Sequence, residues 1–368
     1  MPYYYIGLIS GTSMDGINAA LVEFGDRSLR TIAANSHSYP QELRAGLIAA
    51  SRNPQSCTVD VLGDLDHWTG KCFCDAALGL LSESSIDASQ VRAIGSHGQT
   101  IRHRPDVDRP FTVQIGNPNI IAKGTGILCV ADFRSADIAL GGQGAPLVPP
   151  FHEWLFRSDT VDRCVVNIGG IANVTLLPRG DGAIGGFDTG PGNTLLDAWI
   201  LRQQGAAYDE AGQWAASGTC DDSQLGRMLA DPYFALPPPK STGFEYFNEA
   251  WLSSFDIDDH DSADVQATLC ELTAKTIAAA IDTYMADTGE VLICGGGVHN
   301  ADLMRRLSAN LAGTKPDSTA DHGLDPDWVE ASAFAWLAMR TLDNLPGNAP
   351  SVTGASRPAI LGAIYPAG

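Results

Sequence analysis

Apolar residues run almost unbroken through "YYYIGLI" at 3–9, give way to the polar "SGTSMDGI" at 10–17, and resume in "AALVEF" at 19–24. Short runs rich in aromatic and branched side chains, bounded by Gly, Ser and Asp, predict strands joined by turns. We place strands at 3–9, 17–24 and 28–35. The pattern then changes period: Val61, Leu65, Trp68 and Cys72 recur on one face, which predicts helices at 40–51 and 60–82. "VRAIGSHGQT", "FTVQIG" and "ILCVAD" read as short strands, and the Gly/Pro-rich "GGQGAPLVPP" (141–150) marks a domain crossing.

Beyond that crossing the pattern restarts. "RCVVNIGGIANVTLLP" holds two strand-like runs around a glycine pair, and "AIGGFDTGPGN" leads into the helical "TLLDAWILRQQ". A long helix is expected near 262–286, "VLICGGGVHN" as strand and glycine loop before the helix "ADLMRRLSANL", and a last helix in "DWVEASAFAWLAMRTL". The opening 3–35 and the stretch 161–188 share a three-strand plan, which fits two duplicated α/β domains around a cleft, where ligands normally bind.

Three strands run directly into glycines and small polar side chains: "LISGTSMDG", "VVNIGGIAN" and "LICGGGVHN". Glycine lets a backbone approach a ligand closely and turn N–H groups toward anionic oxygens. A single loop of this kind is most simply a tight turn or a helix start, whereas three in one chain favour a nucleotide. In "GFDTGPGN", Asp188 ends an apolar strand, open for general-base work at a helix entrance; capping that helix is the other reading, for which Asn193 is as good a candidate. A Walker A loop, a dinucleotide fingerprint, a nucleophile elbow and a helical His pair with zinc spacing are all missing from the sequence.

Charge and cysteine content narrow the partners. The net charge is −20 with 23 Lys and Arg in 368 residues, and no basic run is present. Nucleic acid and membrane surfaces are therefore not expected as partners, while a small anion held by loop amides and a metal remains open. The eight cysteines are scattered in apolar contexts without a C-x-x-C. Reduced, buried thiols and a cytoplasmic location follow, with no secretory leader and no spanning segment expected.

"SGTSMDGIN", "SHGQTIRH", "VQIGNPNIIA", "DFRSADIALGGQGAPLVPPFH", "NIGGIANVT", "FDTGPGN" and "DPDWVEASAFAWLA" together resemble the anhydro-N-acetylmuramic acid kinase family, within the superfamily of sugar kinases, Hsp70 and actin. The likeness runs from Ile6 to about Leu342, in the family's order. One departure is Asn18, where an acidic residue is more usual.

The resemblance implies an α/β fold of two duplicated actin/Hsp70/sugar-kinase-like (RNase H-like) domains around a central cleft. One lobe would comprise 1–135 plus about 345–368, the other 136–344. It implies ATP-dependent phosphorylation of 1,6-anhydro-N-acetylmuramic acid at O6 with hydrolytic opening of the anhydro ring, giving N-acetylmuramic acid 6-phosphate in peptidoglycan recycling. Asp188 would be the base.

ATP would be held by Gly11, Thr12, Ser13, Met14, Asp15, Gly16, Ile17 and Asn18 on one side. Asn167, Gly169, Gly170, Gly295, Gly296, Gly297 and Asn300 would serve the other. Asp15 would sit near Mg2+ through water, or simply belong to a tight turn. The sugar would meet His97, Gln99, Asp132, Arg134, Asp137 and Glu330. Arg134 would bind the lactyl carboxylate or pair with its neighbouring aspartates; His97 could be a core histidine, and Glu330 a complement to its helix dipole. A homodimer is implied as well. The nearest alternative is a kinase for another amino sugar with a free hydroxyl; a sugar sensor would need an added basic DNA-binding helix pair that neither terminus supplies, and a chaperone-like ATPase a peptide-binding extension, when two domains already take up the 368 residues.

Overall fold

The computed structural model describes residues 3–368 except 12, 54, 56 and 312. In chain order the first part contains β1 (Tyr4–Ser10), β2 (Gly16–Gly25), β3 (Ser28–Ser38), α1 (Gln41–Arg52), α2 (Val59–Glu83), β4 (Val91–Arg104), β5 (Phe111–Ile115), α3 (Pro118–Thr125), β6 (Cys129–Ala131), α4 (Ser135–Ala139) and α5 (Pro149–Phe156). Next come β7 (Arg163–Ile168), β8 (Ile171–Leu177), β9 (Gly185–Pro191), α6 (Thr194–Gln204), α7 (Gln213–Ser217), α8 (Asp222–Leu229), α9 (Glu249–Ser253), α10 (Ser262–Tyr284), β10 (Glu290–Cys294), α11 (Ala301–Asn310) and β11 (Pro316–Ser318). The chain ends with α12 (Val329–Leu342), α13 (Pro350–Thr353) and β12 (Ala363–Tyr365).

Residues 1–155 with 328–368 form one compact unit and 156–327 a second. In the first, the sheet order is β12-β6-β4-β1-β2-β3, with β5 on β4. β1 pairs antiparallel with β2 and β2 with β3, while β1–β4 and β4–β6 are parallel. In the second, the order is β11-β10-β7-β8-β9, with the same senses: β7–β8 and β8–β9 antiparallel, β7–β10 and β10–β11 parallel. The expected duplication is therefore present in the topology. β1 is buried along its whole length, as a central strand covered on both faces must be.

The division differs from the expected lobes at both boundaries. The last helix, α12, belongs to the first unit because it lies directly on that unit's central strands. A Cβ on Gly7 of β1 would fall 1.7 Å from the Ala331 carbonyl oxygen, and one on Gly95 of β4 would fall 2.0 Å from that of Phe334. Two glycines thus let a helix backbone rest on a sheet. Among the described residues no helix is long and apolar enough to cross a membrane, and all eight cysteines are free.

Candidate active site

In the second unit Asp188 is not at a strand end, as expected, but within β9, opposite Asn173 of β8 and beside a register irregularity at Ala172/Asn173. Its helix-capping alternative falls away, since the residue before α6 is Asn193. Asp188 is half-buried and held from three directions. The Tyr233 hydroxyl donates to its carbonyl at 2.8 Å. Its own N–H donates to the Lys240 carbonyl at 3.2 Å, and the Thr242 N–H donates to its Oδ2 at 2.9 Å. None of these three partners stood out in the sequence; the polar "KST" after the Pro-rich loop was the available signal.

The two glycine loops of this unit leave neighbouring parallel strands, β7 and β10, whose last paired residues are Asn167 and Cys294. The Gly169 carbonyl accepts the Asn193 N–H at 2.8 Å, and the Gly170 carbonyl accepts those of Gly192 and Thr194 at 2.9 and 3.0 Å. The Asn193 Nδ2 donates to the Ile168 carbonyl at 3.2 Å. The "NIGG" turn, the start of α6 and the "GGG" loop therefore converge. Gly295 has φ +78° and no room for a side chain, with Asn167 Oδ1 2.4 Å from an added Cβ; Gly296 is exposed. Gly297 is buried. Asn300 corrects the expectation: its Oδ1 accepts the Leu303 N–H at 2.9 Å and caps α11.

In the first unit the β1–β2 turn presents Gly11, Ser13 and Asp15 to solvent, and Thr12 lies outside the described residues. Met14 and Ile17 were expected at the nucleotide; their side chains are instead packed in the core. Met14 adopts φ +54°, and its N–H donates to the Gly11 carbonyl at 3.3 Å. Gly16 is required by packing, because a Cβ there would lie 2.5 Å from the His37 carbonyl oxygen of β3. Asn18 likewise turns to β3, its Oδ1 accepting from Ser36 Oγ at 2.7 Å. Arg44 of α1 steadies the turn by donating to Asp15 Oδ1 at 2.6 Å and to the Met14 carbonyl at 3.2 Å.

Gln99 is a strut for that turn rather than part of an open sugar pocket. It is 1% exposed; its Oε1 accepts from Ser10 Oγ at 2.6 Å, and its Nε2 donates to the Gly11 carbonyl at 3.2 Å. Two residues earlier on β4, His97 Nε2 accepts from Nε and Nη2 of Arg134 at 3.1 and 2.9 Å, and its Nδ1 donates to the Gly98 carbonyl at 2.9 Å. Burial, then the Arg134 charge, holds this imidazole well below its ordinary pKa of 6.5, so the ring is neutral. Arg134 also donates from Nη1 to the Gly144 carbonyl at 2.7 Å. Burial raises the pKa of Glu330, in the first turn of α12, against the opposing pull of Arg134.

Asp132 and His97 line a cavity of about 300 Å³ with Asp66, Ser96, Gln114, Ser135 and Tyr365. Asp137 does not line it. It is fully buried and corrects the expectation of a sugar contact: its oxygens accept from Gly144 N, Asn348 Nδ2 and Thr353 Oγ1 at 2.8, 2.6 and 2.7 Å. Asp66 was missed in the sequence because an Asp on a helix surface carries no signal. It accepts from Gly116 N and Asn117 Nδ2, both at 2.9 Å, and so shapes one cavity wall.

The family model described as anhydro-N-acetylmuramic acid kinase matches residues 3–367. The chain belongs to the anhydro-N-acetylmuramic acid kinase family. It is 52% identical to the anhydro-N-acetylmuramic acid kinase of Xanthomonas campestris pv. campestris, over 99% of this chain and 97% of that protein. It is 50% identical to the proteins of that name from Coxiella burnetii, over 98% and 97%, and from Shewanella loihica, over 99% of both. As a member of the anhydro-N-acetylmuramic acid kinase family, this chain is a phosphotransferase.

Proposed function

We propose that this kinase transfers the γ-phosphoryl group of ATP to O6 of 1,6-anhydro-N-acetylmuramic acid while water opens the anhydro ring. O6 is bonded to C1 in this sugar and carries no proton, so the base must act on water. Asp188 takes a proton from that water, whose oxygen bonds to C1. The C1–O6 bond breaks, and O6 receives the phosphoryl group as ADP leaves. The products are N-acetylmuramic acid 6-phosphate and ADP, and their place is in the reuse of cell-wall peptidoglycan. The arrangement parallels glycoside hydrolysis, with phosphoryl transfer replacing protonation of the leaving oxygen.

The observation that carries this reading is Asp188 itself, a half-buried carboxylate fixed by the Thr242 N–H at 2.9 Å on a strand anchored by Tyr233 and Lys240. Gly11, Ser13 and Asp15 of the first unit are assigned to the phosphates, and Gly169, Gly170 and Gly296 of the second are assigned to the nucleotide as well. Arg134, oriented by His97, is assigned to the lactyl carboxylate. Asp132 is assigned to a sugar hydroxyl. Asp15, exposed at its turn with Oδ1 paired to Arg44, would meet through water a Mg2+ that arrives on ATP; no cluster of three or more metal-binding side chains exists among the described residues. When bound, that ion offsets phosphate charge. A cytoplasmic location, in keeping with eight free thiols, and a homodimer belong to the same proposal.

The test is turnover of Mg-ATP and 1,6-anhydro-N-acetylmuramic acid in oxygen-18 water, with mass spectrometry of the sugar phosphate. The label is expected at C1. A phosphorylated sugar without it would refute ring opening by water. No phosphorylated sugar from folded, ATP-binding protein would reject the substrate and move attention to amino sugars with a free hydroxyl.

A further inference from the structure

The "GGGVH" turn that leaves β10 is held from outside by a segment met 28 residues after His299. At the start of the turn, the Gly295 N–H donates to the Pro326 carbonyl at 3.0 Å. At its end, His299 Nε2 donates to the Asp327 carboxylate, 2.9 Å from each oxygen. Two consecutive residues of one segment therefore tie both ends of the turn, one through the backbone and one through side chains. That segment is itself fixed: Pro326 is buried, and the Asp327 N–H donates to Asp325 Oδ1 at 3.0 Å. All of these residues belong to the unit 156–327.

The turn has internal bonds of its own, from Val298 N–H to the Gly295 carbonyl and from Asn300 N–H to the Gly297 carbonyl, both at 3.1 Å. The side chains of His299 and Asp327 are 64% and 38% exposed, and an ion pair in that setting adds little to the stability of a fold. Its value lies elsewhere. Three successive glycines have the most backbone freedom to lose when a ligand orders them, and fixing such a loop beforehand lowers that cost. We infer that His299 and Asp327 are positioning residues that hold the Gly295–Gly297 turn ready for the nucleotide, and so set the affinity for ATP rather than the rate of phosphoryl transfer. The inference rests on the assignment of this turn to the nucleotide.

The test measures kcat and the KM values for ATP and sugar in the full-length enzyme, His299→Ala, Asp327→Ala and the double variant. Each single change is expected to raise the KM for ATP about threefold or more, with kcat and the sugar KM staying within about twofold of the parent. The double variant is expected to go no further than the singles, because the two residues act as one tie. His299→Gln, which keeps an N–H donor, is expected to recover most of the loss. Folded single variants with an unmoved KM for ATP, a loss confined to kcat, or effects that multiply in the double variant overturn the inference; if the alanine variants do not fold, Asp327→Asn gives the same readout. Gly296→Val separates the two ideas. Gly296 is exposed, and an added Cβ meets Asn193 Nδ2 at 4.0 Å, so the fold has room for a branched side chain that would intrude on a nucleotide. An unmoved KM for ATP in Gly296→Val means that the turn does not hold the nucleotide, whereas a raised one with unmoved His299 and Asp327 variants refutes the role of that pair alone.

Discussion

At the scale of single residues, much of the candidate site depends on which protonation state burial permits. His97 is 6% exposed and works as an acceptor for Arg134, a role an imidazolium cannot fill. Burial also pushes His103 down to about 4 and His152 to about 3. A histidine whose pKa is lower in the folded than in the unfolded state contributes stability that is fully present above about pH 6.5 and is lost as pH falls toward the folded value. Glu330, with its pKa raised, acts in the opposite sense, but it is one group against three. The urea midpoint is therefore expected to fall between about pH 7.5 and about pH 5, by an amount equivalent to a few kcal/mol. A flat profile over that range would show that the three rings are not held neutral.

At the scale of elements, the decisive contact is α12 against β1 and β4. Its backbone lies so close to the strands that Gly7 and Gly95 leave no space for even a methyl group. Gly95→Ala sets a Cβ 2.0 Å from a helix carbonyl, and neither partner is a flexible side chain that can move away. We expect a destabilisation of about 3 kcal/mol, seen as a fall of about 6 °C or more in the thermal midpoint. An unchanged midpoint would mean that the helix sits farther from the sheet. The β1–β2 turn follows the same logic: Met14 and Ile17 anchor it in the core, while Gln99 and Arg44 hold its polar residues outward.

At the scale of the whole molecule, the charge of −20 bears on how the enzyme meets its substrates. ATP is an anion and so is the lactyl-bearing sugar, so long-range repulsion slows their encounter at low salt and fades as the screening length shortens. The second-order rate constant for ATP binding, measured by stopped flow, is expected to rise between about 0.02 M and about 0.2 M salt. A steep fall instead would show that a local basic field at the nucleotide site outweighs the net charge. The duplicated sheet order provides two similar frames, yet the two units use them differently. The first keeps a 300 Å³ cavity beside His97 and Asp132, whereas the second places a strapped carboxylate on its edge strand.

What the sequence alone determined was the periodic part of the protein. Unbroken apolar runs mark central strands, 3.6-residue recurrence marks helices, and glycine clusters mark the loops that leave β1, β7 and β10, because each is a local property of consecutive residues. The family likeness added Asp188 and the outline of the reaction. Only the tertiary structure decided the rest. Asp137 carries the same polar group as a binding residue, but the distant Asn348 and Thr353 use it for a buried clamp, while Asn300 spends its side-chain oxygen on the local cap of α11. Gly16 and Gly295 look like ligand-facing glycines, but they are required by a neighbouring backbone and by Asn167. Lys240, Tyr233 and Thr242 sit 45 to 54 residues from Asp188 in the chain. No local pattern can place them around one aspartate, because that juxtaposition arises only when a distant loop packs on the edge of the folded sheet.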